Sequence, residues 1–238
     1  FARKDFFRRP WRLAAQILRL RRERFDVVIE AGHWHAFSLT AALLARVVAP
    51  RIVVGHDRGP ARAFFDVAVA QPPGVEHDVS VKLALAEAIG VPPAGVELET
   101  PLGGDRPSLA EAAAMLEVAG LTPGRRMLLV NPGARKLDRR WPPAAYAAVA
   151  ARLAARFDLA PVVLWGPGEE ALAGEVVQRI GHGACLAPRT DLRQLAATLR
   201  LGALLITNDT GPMHLAVAVG TPTVAIFLAG DHRRWGHP

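Results

Sequence analysis

The sequence predicts an α/β protein with parallel sheets, its chain divided into two halves. Three observations carry the prediction. Short apolar runs alternate with helical stretches from residue 25 to residue 90. The alternation lapses over "VPPAGVELETPLGGDRPS", residues 91–108, where Pro and Gly dominate and a linker or extended crossover is expected. It resumes from "GRRMLLV" to the end. The expected domains are therefore residues 1–105 and 106–238.

Each element follows in order. Residues 3–24 carry nine basic side chains, interleaved with Trp11, Ala14, Ala15 and Leu18 and, a turn away, Leu13, Ile17 and Leu20. That spacing predicts an amphipathic helix with a basic rim. Phe25–Glu30 reads as a buried strand with a loop at 31–35, and "FSLTAALLARVVAP" as a helix closed by Pro50. "RIVVGHDRG" and "FFDVAVA" are the next strands, and "HDVSVKLALAEAIG" is a helix stopped at Gly90. The second half opens on a helix, "LAEAAAMLEVAG", followed by a strand at 127–130 and a loop at 131–141. A helix at 142–157 places Pro142 or Pro143 in its first turn. Strand "PVVLWG", helix 169–180, a short strand at 184–186 and helix "DLRQLAATLR", capped by Asp191, come next. Last is "LLITNDTGPMHLAVAVGTPTVAIF": a strand, a polar hinge, a helix of small residues and a final strand.

Composition narrows the class. With 51% hydrophobic and 21% charged residues, the chain has the make-up of a soluble globular protein. Its one cysteine, Cys185, excludes an internal disulfide framework and a Cys-based zinc site. A reducing, cytoplasmic compartment is expected. The longest weakly charged run, 203–230, holds Asp209 and is broken by Gly and Pro, which makes it a poor membrane span. The net charge of +7 fits a solvated helix face, or an acidic substrate or membrane surface as partner. No RNP, zinc-finger or other reading module supports nucleic acid.

In open parallel sheets ligands bind beyond the carboxyl ends of the strands. Three loops of the second half occupy such positions. "NPGARKLDRRW" offers Asn131, a turn at Gly133 that lets backbone N–H groups approach an anion, and Lys136 as a point charge for phosphate. Arg135, Arg139 and Arg140 lie beside them. "WGPGEE" places Glu169 or Glu170 where a ribose could donate to a carboxylate, though either residue would also serve the dipole of the next helix. The hinge brings Asp209, Thr210, Gly211 and, in the first helical turn, His214 to a helix N-terminus that favours a phosphate or diphosphate; Asp209 or Thr210 is the expected cap. "GHWH" sets His33 and His35 two apart as half of a metal site, but no third ligand is placed, so no metal is expected. No HExxH, GxSxG, GxxxxGK[ST] or full GxGxxG occurs, which argues against zinc proteases, lipase-type hydrolases, P-loop NTPases and standard NAD enzymes.

Together, "NPGARKLDRRWP", "VVLWGPGEE" and "TNDTGPMHLAVAVGTPTVAIF" resemble, in order and spacing, the C-terminal half of the glycosyltransferase family nine enzymes, the heptosyltransferases of the lipopolysaccharide inner core. "LRRERFDVVIEAGHWHAFS" and "VVGHDR" resemble the later part of that family's N-terminal domain. The resemblance implies a GT-B fold of two Rossmann-like domains, the N-terminal one incomplete here, with the active site in the cleft between them. It implies inverting, metal-independent transfer of a heptose from an ADP-sugar, which is substrate rather than cofactor, to an anionic glycolipid acceptor. Asn131, Gly133, Lys136, Glu169, Asp209, Thr210, Gly211 and His214 would bind the donor; His33, His35 and Arg58 are the acceptor-side candidates. It also allows peripheral contact with the cytoplasmic face of the inner membrane. The family opens on a strand and a Gly-Asp loop whose Asp is the implied general base. No such loop occurs here and the family runs on past "RRWGHP", so the chain is expected to be a fragment lacking both ends, and no base is assigned. The alternatives are a transferase using another nucleotide sugar for a different surface glycan, and a non-catalytic nucleotide-sugar-binding module.

Overall fold

The computed structural model describes residues 10–32, 38–48 and 50–237. The chain forms two compact units, divided between Val96 and Glu97.

The first unit begins with α1 (Pro10–Arg22), which has Arg19, Arg21 and Arg22 in its last turn. Strands β1 (Val27–Glu30), β2 (Ile52–His56) and β3 (Val67–Val69) form a parallel sheet in the order β1-β2-β3, in register at Val28↔Val53 and Val54↔Val67. Between them lie α2 (Leu39–Val47), capped by Ser38, and a 3-10 turn at Gly59–Phe64. Ala42, Ala45, Val53 and Phe65 form a small buried cluster, and Val54, next along β2, is fully buried as well. Asp66 ties it together by accepting from both guanidinium nitrogens of Arg46, at 2.8 and 2.9 Å, and from the Val53 amide at 2.7 Å. These bonds hold its carboxyl below the usual range, the Arg46 side chain contributing most. Helix α3 (Asp78–Glu87) follows, with His77 at its N-cap.

In the second unit, the stretch expected as a linker packs onto the unit it enters. Gly103 has φ +66, and a Cβ there would collide with the backbone amide of Ala197, so only glycine fits. Helix α4 (Arg106–Val118) is capped by Asp105, whose carboxylate accepts from the Ser108 amide and hydroxyl. Next come β4 (Met127–Asn131), α5 (Pro143–Phe157), β5 (Ala160–Val163), α6 (Glu170–Ile180), β6 (Cys185–Leu186), α7 (Leu192–Leu201), β7 (Gly202–Asn208), α8 (Gly211–Ala218), β8 (Thr223–Ile226) and a short α9 (His232–Trp235). Pro143 takes the first helical position of α5, and Asp191 with Gln194 closes a full capping box on α7.

The five strands are parallel in the order β6-β5-β4-β7-β8. All of β4 is buried, with Met127 and Leu129 facing one layer and Leu128 and Val130 the other. Leu116 of α4, Leu199 of α7 and Ala216 of α8 cover the first face; Tyr146 and Ala150 of α5 and Val176 of α6 cover the second. Each fully buried Leu or Val of this sheet contributes on the order of 1.5–3 kcal/mol. The chain leaves β4 toward β5 and β6, then returns to β7 on β4's other side. The strand order therefore reverses between β4 and β7, the position where open α/β sheets leave a crevice for ligands.

Candidate functional site

The loops after β4 and β7 meet at this reversal, and polar side chains join them. Asn131, paired with Thr207 in the β4–β7 register, donates to the Thr207 hydroxyl at 2.8 Å and to the Thr210 hydroxyl at 3.2 Å. Asn208 donates to the carbonyls of Pro132 and Gly133, at 2.9 and 3.2 Å, and accepts from the Trp141 amide at 3.0 Å. One buried side chain thus clamps both ends of the loop that carries Lys136. Buried amides satisfied this way fix geometry, because leaving such groups unpaired costs about 1–3 kcal/mol each.

Two ion pairs flank the clamp. Arg139 lies 2.7 Å from the buried carboxylate of Asp209, just before α8. Arg140 bonds the Ala134 carbonyl at 2.8 Å and the Glu169 carboxylate at 3.1 Å. Glu169 also accepts from the Gly166 amide at 3.2 Å. Gly133 faces that carboxylate, and a Cβ at position 133 would overlap it.

The cap differs from expectation. Thr210 occupies the N-cap of α8, but its side chain makes no capping bond: its hydroxyl faces Asn131 and Thr207. Asp209 does not cap either, because its carboxylate is drawn to Arg139. The first turn of α8 is left without a side-chain cap. Gly211 is exposed there, with open space among the described residues where a side chain would stand, and a helix start without a side-chain cap leaves amide donors and the positive end of the dipole for an anion. His214, in that first turn, has Nδ1 2.7 Å from Nε2 of His237, one ring donating to the other.

The structure therefore brings Asn131, Gly133, Asp209, Thr210 and Gly211 together, with Glu169 beside Gly133. Lys136 is on the clamped loop but exposed and unpaired among the described residues. The cation placed against the hinge is Arg139, grouped in the sequence only with its neighbours. Its separation of 70 residues from Asp209 gives no local signal.

Of the acceptor-side candidates, His33 and His35 lie outside the described residues. Arg58 is buried in the first unit against Glu30, whose other carboxylate oxygen accepts from the Gly32 amide at 3.1 Å. Among the described residues no group of three His, Cys, Asp or Glu side chains could hold a metal, and no helix is long and apolar enough to cross a membrane.

Comparison with known proteins converges on one family. Residues 13–238 match the model for glycosyltransferase family 9 (heptosyltransferase). Lipopolysaccharide heptosyltransferase 3 of Escherichia coli is 29% identical over 236 residues, covering 91% of this chain and 63% of its own length. The chain thus spans less than two thirds of that relative. A family 9 glycosyl transferase from Veillonella parvula superposes with a TM-score of 0.79 at 23% identity, over 94% of this chain and 64% of that one. The E. coli heptosyltransferase WaaC with ADP gives 0.71 at 22%, over 98% and 71%. Both structural likenesses establish the α/β, GT-B type fold.

Proposed function

Because the chain belongs to glycosyltransferase family 9, the heptosyltransferase family, we propose that it moves a heptose from an ADP-sugar to an anionic acceptor of the lipopolysaccharide inner core. The observation that carries this reading is the uncapped N-terminus of α8 at the β4–β7 reversal, with Arg139 held against the hinge and Lys136 on the clamped loop. That combination suits a nucleoside diphosphate. The relative solved with ADP, and those named for lipopolysaccharide, supply the nucleotide and the acceptor class.

In the reaction, an acceptor hydroxyl oxygen attacks the anomeric carbon from the face opposite the diphosphate, inverting it. The bond from that carbon to the diphosphate oxygen breaks, and ADP leaves with the electron pair. The hydroxyl proton passes to a base, for which no residue is assigned. Charge building on the departing diphosphate is met by the α8 amide dipoles, Lys136 and Arg139, with no metal required. Glu169, with one oxygen on Arg140 and the other on the Gly166 amide, is oriented to accept from the ribose. The basic helix α1 suits contact with an anionic glycolipid or the cytoplasmic membrane face.

Isothermal titration of the chain with ADP, together with a turnover assay on the full-length protein with and without EDTA, tests the reading. ADP binding that weakens in Arg139→Ala, with turnover unaffected by EDTA, is expected. Absence of ADP binding overturns the donor site. Binding without turnover leaves only a nucleotide-sugar module.

A further inference from the structure

The hinge that would receive a diphosphate holds a buried charge of the wrong sign. Asp209 stands two residues before the start of α8, and its side chain is only 4% exposed. Burying a carboxylate is costly unless it is paired, and a carboxylate beside a bound anion adds repulsion. Some other role must offset both.

The fold fixes this carboxylate and closes it in. The Asp209 amide donates to the Ile226 carbonyl at the end of β8, at 3.2 Å. Gly230, in the loop after β8, lies so close that a Cβ there would overlap the carboxylate, and Oδ2 is shut off from solvent. Asp209 does not cap α8, whose N-cap is Thr210. Almost none of its surface is left for a sugar or phosphate to touch. What it does meet is Arg139: among the described residues that is its ion-pair partner, at 2.7 Å. The same guanidinium nitrogen, Nη1, lies 3.5 Å from the Asp209 carbonyl.

Arg139 has the complementary exposure. Its side chain is 28% exposed, and it ends the 3-10 turn Leu137–Arg139 on the loop that Asn208 clamps. A guanidinium carries five N–H donors in a planar fork. With Nη1 turned to Asp209, the rest of the fork remains for an anion. A long arginine side chain loses rotamer freedom when a ligand fixes it, and a partner that fixes it beforehand removes that cost. Arg140, the next residue, is held in the same manner by Glu169 and the Ala134 carbonyl.

We propose that Asp209 is a positioning residue. It does not bind the diphosphate but holds the Arg139 guanidinium beside the start of α8, so that the cation is in place before the donor arrives. This rests on the donor reading above and assigns, within it, how the cation is held.

The test is a double-mutant cycle on the chain, read by titration calorimetry with ADP. Asp209→Asn keeps the shape of the side chain and removes its charge. A carboxylate that were only a nearby negative charge would, once removed, let ADP bind more tightly. As the anchor of Arg139, its loss should instead weaken ADP about three- to tenfold. In an Arg139→Ala background the same change should weaken ADP no further, because no guanidinium is left to hold. General damage to the hinge would weaken ADP in both backgrounds alike. Unchanged or tighter binding in Asp209→Asn, or an equal loss in both backgrounds, overturns the proposal, while Arg139→Ala alone still reports on the donor site. A wild-type chain that binds no ADP overturns the donor reading and this proposal together. Where Asp209→Asn does not fold, NMR of the wild-type chain labelled with 15N-arginine carries the test. Without ADP, the Arg139 Nη signals, identified by their loss in Arg139→Ala, should be separate because the ion pair slows rotation of the guanidinium. One averaged signal overturns the proposal.

Discussion

The five-stranded sheet is covered on both faces by helices, and at its carboxyl edge Asn131, Thr207 and Asn208 are hydrogen-bonded while Asp209 is ion-paired. The three-stranded sheet has one small buried cluster of four residues, with Val54, Val81 and Leu85 buried outside it, leaves Val27, Ile29 and Ile52 at 36%, 42% and 38% exposure, and among the described residues gives the ring of His56, at the same edge, no hydrogen-bond partner. Both arise from the same alternation of strand and helix. The difference shows that parallel pairing and complete burial are separate achievements. Pairing needs a backbone ladder, whereas burial needs a layer on each face.

The largest test of this contrast is stability. Leu129→Ala, in the fully buried β4, should lower the free energy of unfolding by about 2–5 kcal/mol in urea titration. Ile29→Ala, at a strand position of the smaller sheet, should cost less than about 1 kcal/mol. Equal losses would break the comparison. Next is the clamp: Asn208→Ala removes three hydrogen bonds and should cost about 1–3 kcal/mol, with faster amide exchange at Trp141. Unchanged exchange there would show that the loop holds its shape without Asn208.

Smaller effects concern the ligand. Arg139→Ala should weaken ADP about tenfold or more by titration calorimetry, the loss expected of a charged hydrogen bond. Lys136→Ala, at an exposed position, should weaken it by only about two- to fivefold. The reverse order would return the principal phosphate role to Lys136.

The smallest effect is in pH. Burial raises the Cys185 thiol above its ordinary value near 9. The folded state therefore binds that proton more tightly than the unfolded one. Its contribution is complete below pH 9 and is lost as pH rises through the folded value. Urea titrations between pH 8 and about 10.5 should show stability falling with pH, and Cys185→Ala should flatten that slope.

The strands, their order of alternation, the Asp191 cap and the Pro143 helix start were legible because each is written within a few residues. The same holds for the loops at the strand ends, which the motif resemblance also marked. The partners of Asp209 and Glu169 were not legible. Arg139 and Arg140 reach them across 70 and 29 residues, and only the sheet brings them together. Thr210 was misread as a capping side chain for the same reason, since Asn131, its actual partner, lies 79 positions away. His56 reads in the sequence as one polar residue ending a strand, and nothing local shows that its ring has no hydrogen-bond partner among the described residues.

The contact between Gly133 and Glu169 also constrains how such a sequence can change over generations. A side chain at 133 meets the carboxylate at 169, the movable end of a flexible side chain, while shortening 169 alone costs Arg140 one of its two acceptors and the Gly166 amide its acceptor. A larger residue at 133 therefore has to turn that carboxylate away from Arg140 and the Gly166 amide, so the two positions are coupled, and a change at either is felt at the other.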